Sequence, residues 1–443
     1  MESFVSEIQI FIAEHLLPLE GEVLSPGALA CRDGRILAVG SPESLRQRFP
    51  EASCREFPEQ CLLPGLVNAH LDLSLTLFDN YPHDLPESRD GRLALMPWLI
   101  NVSRFKAKLP IADQQKAIRA GLDRVKASGV TTLGDICRYP AALPLYEASG
   151  LRVVALAEIE NIQRILAQEE FEQALALADE IQHAKNPRLL PGLAPFSAYT
   201  ISKNMLRILG HHAIQARLPL RLHAALSFGE MEFFYDSQGE VTQLLFKEAG
   251  WGEEKIPPPH RVTPIQYLHE IGLLKARPSL LGCLHLGPTD SALLDNAGCV
   301  RLFAPTAFES LQIGEIPWGR LGKSSWALAS WSKAAGATLN LWDEMRSALF
   351  QLEAKLGRQG AAAQVFQAAT LAGARALGLE AETGSLRPGK SADFLLIDSP
   401  VEDSSLEAGL IEQSVPQRIR GIYVAGNLLN VSDNLSLPVG STS

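Results

Sequence analysis

The stretch Leu62-Leu63-Pro64-Gly65-Leu66-Val67-Asn68-Ala69-His70-Leu71-Asp72-Leu73-Ser74 constrains this chain more than any other. An apolar run broken by Pro-Gly, resumed by Leu-Val and closed by His-Leu-Asp reads as a strand that enters a core and delivers polar side chains at its C-terminal end. Strand side chains repeat every two residues, so His70 and Asp72 share a face.

Downstream, short apolar runs alternate with helical patterns. The strand candidates are Thr131 to Ile136, Arg152 to Leu156, Leu189 to Ala194, Leu218 to His223, Ser279 to Leu284 and Val300 to Phe303. The clearest helix runs from Glu169 to Lys185, with Phe171, Leu175, Leu177, Ile181 and Ala184 near a 3.6-residue period. Such alternation predicts parallel α/β structure, and eight units over about 300 residues close a (β/α)8 TIM-type barrel whose site lies at the C-terminal strand ends. The Pro-rich segment Trp251 to Arg261 reads as a loop over that rim. Both chain ends are β-rich instead: Gly27 to Gly40 turns through Asp33-Gly34 as a hairpin, and Gly384 to Asp398 with Ile419 to Asn427 supplies further strands. The expected division is a small accessory β-sheet domain formed by both ends, residues 1–58 plus 384–443, around a barrel of residues 59–383. The last dozen residues, rich in Ser and Asn, read as a frayed tail.

A chain of 443 residues, 46% hydrophobic and 20% charged, has enough apolar material for one large core and a smaller one. Its net charge of -10 argues against nucleic acid or an anionic membrane surface as partner, since both select basic patches. A small-molecule ligand or a protein partner fits better. The six cysteines include no Cys-x-x-Cys pair, which predicts free thiols in a reducing, cytoplasmic setting. Met1 to Leu17 lacks the basic start of a signal peptide, and no apolar run reaches the roughly 18 residues of a membrane span.

Several phrases, in order, carry a resemblance: Leu63 to His70; Ser128 to Asp135; Ala194-Pro195 with Tyr199 to Ser202; His223-Ala224-Ala225; Thr263 to Leu268; Leu339 to Arg346; and Gly384 to Asp398. Together they resemble the deaminase and chlorohydrolase branch of the amidohydrolase superfamily. The resemblance implies a metal held by two histidines on the first barrel strand, one on the fifth and an aspartate on the eighth. That metal makes hydroxide from bound water near neutral pH. A glutamate three residues after the fifth-strand histidine moves protons, and a sixth-strand histidine positions water or substrate.

Carried over residue by residue, this pattern is broken. The first strand has His70 alone, with Asp72 where a second histidine stands; in the other alignment His70 is the second histidine and the first is missing. His223 is present on the fifth strand, but Leu226 holds the proton-shuttling position and a Leu moves no proton. Gly282 takes the sixth-strand histidine's place, Trp331 the eighth-strand aspartate's, and Phe196 that of the histidine in the Ala-Pro-His phrase. The residual metal candidates are His70, Asp72 and His223. The reading this favours is an amidohydrolase-related barrel without a cofactor that binds a ligand or partner and does not hydrolyse. Related barrels often pair, so a homodimer, or a heterodimer with an active relative, is the expected assembly. The alternative is a hydrolase of carbon–nitrogen bonds of an aminated heterocycle with a remodelled site, holding zinc or iron through the residual triad.

Overall fold

The computed structural model describes residues 7–80, 95–160, 167–252, 255–321, 326–401 and 405–429. The Ser- and Asn-rich tail lies outside them, as do two residues of the expected rim loop.

The chain opens with β1 (Gln9–Leu16), β2 (Gly27–Arg32), β3 (Arg35–Gly40) and β4 (Ser53–Pro64). The Asp33-Gly34 turn joins β2 to β3, with both residues at positive φ, which Gly accepts without strain. After β4, Gly65 breaks the strand because a Cβ there would stand 2.1 Å from Thr131 Oγ1. That close approach is why the Pro-Gly phrase marks the point where the chain leaves one sheet and enters another. The division drawn at residue 58 falls inside β4, so the rest of this strand, residues 59–64 with its apolar end Cys61 to Pro64, belongs to the accessory sheet.

Eight parallel strands follow: β5 (Leu66–Leu71), β6 (Val130–Cys137), β7 (Arg152–Ile159), β8 (Leu189–Pro195), β9 (Arg221–Ala224), β10 (Ser279–Gly282), β11 (Val300–Phe303) and β12 (Trp326–Leu328). They pair in sequence order as two four-stranded arcs. Bridges from Leu193 to Leu220 and from Leu71 to Trp331 join the arcs into a closed barrel. Asn68 fastens the second seam: its amide donates to Ser330 Oγ (2.9 Å) and its carbonyl accepts from Ser330 N (3.1 Å). Helices cover the outside, including Ala167–Ala184 where the period predicted one.

Finally β13 (Phe394–Asp398), β14 (Ile419–Val424) and β15 (Asn427–Leu428) return to the accessory sheet, whose order is β15-β14-β13-β4-β1-β2-β3. β4 pairs parallel with β1 and antiparallel with β13, so the two ends of the chain meet across it. Phe11, Leu62, Phe394 and Tyr423 pack that sheet's own core, with the Phe394 and Tyr423 rings stacked at 4.3 Å. Among the described residues no helix is long and apolar enough to cross a membrane.

Candidate active site at the strand ends

Three strand ends and one helix converge on the barrel mouth. β5 brings His70, with Asp72 one residue past its end; β7 brings Glu158, with Glu160 just beyond; β9 brings Arg221 and His223. Within each pair the residues are two apart, so both point the same way. The helix Leu95–Lys108 lies over them and sends down Lys106 together with Trp98, Leu99 and Val102. The cavity they line, with Phe196 and Trp331, is about 40 Å³, room for a few waters.

Arg221 stands between the two histidines. Its Nη2 lies 2.7 Å from His70 Nε2 and 2.9 Å from His223 Nε2. A guanidinium nitrogen only donates, so both Nε2 atoms are acceptors and both rings carry their proton on Nδ1. His223 Nδ1 donates to the Phe196 carbonyl at 3.0 Å, which fixes the ring. Burial first, and then the Arg221 charge, hold both imidazoles well below their ordinary pKa, consistent with neutral rings. Burial also lowers Arg221, to about 9, which leaves it charged at neutral pH.

Lys106 Nζ donates to Asp72 (3.0 Å) and to both oxygens of Glu158 (2.5 and 2.7 Å). Burial works against the ammonium, but Asp72 and Glu158 outweigh it and push its pKa above the usual lysine range. Ser74 Oγ donates to the other Asp72 oxygen at 2.5 Å. Glu160 is different. It is mostly buried, one of its oxygens has no hydrogen-bond partner among the described residues, and Arg138 approaches only to 3.9 Å. Burial, reinforced by the Glu158 charge, raises its pKa to about 7.

The substituted family positions have physical explanations. Trp331 sits where strand β12 has ended; its ring packs 5.4 Å from His223 and 5.2 Å from Trp98, while its backbone N–H donates to the His70 carbonyl. Phe196 lies 4.8 Å from the His223 ring. At Gly282 (φ +118°) an added Cβ would meet Ala224 O at 2.8 Å and the Leu226 backbone at 3.0 Å, so no histidine side chain fits there. Leu226 is buried and donates its N–H to Glu230 Oε2 (2.9 Å). Glu230, also raised to about 7 by burial, does not line the cavity and does not replace the lost glutamate. His285 bonds the Ile313 carbonyl, away from the cavity, and Asp135 accepts from Tyr146 and Leu73 N as a structural carboxylate.

His70, Asp72 and His223 therefore share the mouth without forming a ligand set. Lys106 and Ser74 hold the Asp72 carboxylate, and Arg221 fills the gap between the imidazoles. Among the described residues no group of three or more His, Cys, Asp or Glu side chains is placed to hold a metal ion. The residues present do not fit a zinc or iron centre.

Sequence reasoning missed Arg221, Lys106, Glu158 and Glu160. Arg221 carried a signal, since a charge two residues before His223 on a barrel strand must share its inward face. Glu158 and Glu160, alternating at the end of an apolar run, carried the same signal. Lys106 carried none.

A model of the amidohydrolase family matches residues 61–429. This chain is an amidohydrolase-family protein. A second model, of a bacterial imidazolonepropionase-like composite domain, matches residues 27–52 in the accessory sheet. Among curated relatives, aminodeoxyfutalosine deaminase of Deinococcus radiodurans is 28% identical over 73% of this chain and 76% of its own length. The 5-methylthioadenosine/S-adenosylhomocysteine deaminase of Desulfitobacterium hafniense is 26% identical over 95% of this chain and 93% of its own. Among solved structures, an adenosine deaminase from Xanthomonas campestris with bound zinc superposes with a TM-score of 0.79 at 23% identity, covering 95% of this chain and 92% of that one. An aminofutalosine deaminase from Helicobacter pylori in complex with methylthio-coformycin gives 0.80 at 18% identity, covering 95% and 100%.

These relatives correct the functional reading favoured by the sequence. The lost catalytic positions favour a barrel that binds without hydrolysing, but relatives similar to this chain over 73% and 95% of its length are named as deaminases.

Proposed function

We propose that this amidohydrolase-family protein is a hydrolase of carbon–nitrogen bonds other than peptide bonds, a deaminase of an aminated heterocycle acting through a remodelled site. The observation that carries this reading is its similarity, over 95% of the chain, to an enzyme named 5-methylthioadenosine/S-adenosylhomocysteine deaminase. The position of the polar cavity supports it, because barrel enzymes place their chemistry at the C-terminal strand ends.

Deamination replaces a ring C–NH2 by C=O: water adds at the carbon, and the amine leaves as ammonia after taking a proton. One group must take a proton from the water and give one to the amine. Glu160, with a pKa raised to about 7, is suited to both directions near neutral pH. Arg221 offers a fixed positive charge to the ring nitrogen or oxygen on which negative charge develops. Lys106 holds the Asp72 and Glu158 carboxylates in place. The cavity is smaller than a heterocycle, so admission requires the helix Leu95–Lys108, whose Trp98, Leu99 and Val102 wall it, to shift outward.

The test is ammonia release from 5-methylthioadenosine, S-adenosylhomocysteine and aminodeoxyfutalosine, assayed with wild type and Glu160→Gln. Turnover of one of them that collapses in the variant supports the reading. No release from any of the three by folded protein, with or without added zinc, refutes it.

A further inference from the structure

The zinc-bound neighbour and the side chains at this mouth disagree, and the disagreement has a specific cause. The amino group of Arg221 Nη2 has two N–H bonds and two acceptors, His70 Nε2 at 2.7 Å and His223 Nε2 at 2.9 Å. The donor capacity of this amino group is fully used, and so is the Nε2 lone pair of each ring, which leaves His70 Nδ1 to carry that ring's proton without a partner among the described residues. A zinc ion bonded to both imidazoles would lie about 2.0–2.1 Å from each nitrogen, in the gap this amino group occupies. A guanidinium does not make way by losing its proton.

We propose that Arg221 is the resident cation of this site, a charge built into the chain at the histidine pair, and that the pair accordingly takes no divalent metal. Three further features agree. The carboxylate that would complete a ligand set, Asp72, is held by Lys106 Nζ at 3.0 Å and by Ser74 Oγ at 2.5 Å. The position the resemblance gives to the eighth-strand ligand aspartate holds the indole of Trp331, and Gly282 leaves no room for a sixth-strand histidine. Lys106 and Arg221 already supply positive charge opposite Asp72 and Glu158, so a divalent ion would add two more positive charges to a largely buried cluster. Arg221 is 2% exposed, and its Nε has no hydrogen-bond partner among the described residues. A side chain this costly to bury is held for its charge at the mouth and not for packing. The inference does not rest on the deaminase reading, because metal content is measured whether or not the protein turns a substrate over.

The experiment has two parts. Full-length protein is produced in medium supplemented with zinc, iron and manganese, purified without chelators and analysed by plasma mass spectrometry. Wild type is expected to carry far less than one metal per chain. In parallel, long-range nitrogen–proton spectra of histidine-labelled protein report the His70 and His223 rings during a zinc titration. Both are expected as neutral Nδ1–H tautomers that zinc leaves unmoved in wild type and in Arg221→Lys, while Arg221→Ala opens the gap and lets zinc shift them. Near-stoichiometric metal in wild type, lost in His70→Ala or His223→Ala, overturns the proposal. So does a wild-type shift with zinc. A folded Arg221→Ala protein whose signals ignore zinc overturns it too, because something other than Arg221 would then exclude the metal. Should that variant not fold, the wild-type metal content and titration decide alone.

Discussion

Two buried arginines on barrel strands show how one residue type serves opposite ends of the same scaffold. Arg152 opens β7 at the bottom of the barrel and is 3% exposed. Its guanidinium donates to Asp393 Oδ2 through Nε and Nη2 (3.3 and 3.2 Å), to Ser391 Oγ (3.0 Å) and to the Pro187 carbonyl (3.1 Å). Asp393 in turn accepts from Ser391 Oγ and from the Ala425 amide, so this network locks the accessory sheet to the barrel. Arg221, at the top, meets two neutral imidazoles instead of a contacting carboxylate and keeps an unsatisfied Nε. A buried charge with a full set of partners holds structure together. One with neutral partners and an orphan donor, in a cavity, is poised to act on something that enters.

The strongest test of this contrast is to remove each arginine in turn. Arg152→Ala leaves Asp393 buried without its cation and is expected to cost about 3–5 kcal/mol in denaturant unfolding. Arg221→Ala, which strands no contacting carboxylate, is expected to cost less than half as much. Equal losses would erase the distinction. Next in size, Glu160→Gln keeps the shape of the cavity while removing its proton carrier, so ammonia release should fall by about 100-fold or more with little change in stability. An unchanged rate would move the chemistry away from this side of the mouth.

A third test uses a carboxyl without any cation beside it. Burial raises Glu344 to about 8, against its bonds from Thr306 N at 2.9 Å and from the Thr306 hydroxyl. The folded state therefore holds this proton more tightly than the unfolded chain does. Its contribution to stability is complete below the ordinary value of 4.5 and is lost as pH rises through about 8. Wild type should lose on the order of 4 kcal/mol from this source between pH 5 and 9, at up to about 1.4 kcal/mol per pKa unit. Glu344→Gln should flatten that part of the unfolding profile; a profile of unchanged slope would show the group is not held protonated. The smallest effect belongs to the exposed pair Arg358–Glu412, bidentate at 2.8 Å, where Arg358→Ala should change stability by less than about 1 kcal/mol. A larger loss would mean that surface pairs rival the Arg152 network.

The fold was legible because its signals are local. The Leu62 to Ser74 phrase marks its strand break through Gly65, the period of Phe171 to Ala184 marks its helix, and the two β-rich ends mark one sheet. The strand-end position of the site was legible as well: His70 and His223 meet at the mouth, with Phe196 and Trp331 beside them. The charged groups around them were not. Lys106 lies 34 residues from Asp72 and 52 from Glu158, and only barrel closure with a helix laid across the mouth brings the three together. Arg221 was visible as an inward position on β9, but its partner His70 is 151 residues away.

By itself, then, the sequence determined the alternation of strands and helices and the pairing of the two chain ends. These follow from periodicity, turn residues and side-chain identity, which neighbours along the chain decide. Only the tertiary structure decided that a guanidinium fills the gap between two imidazoles, that Asp72 belongs to a lysine and that Glu160 brings a carboxyl of near-neutral pKa to the cavity. Those properties are set by distance, burial and charge among residues that meet only when the barrel closes.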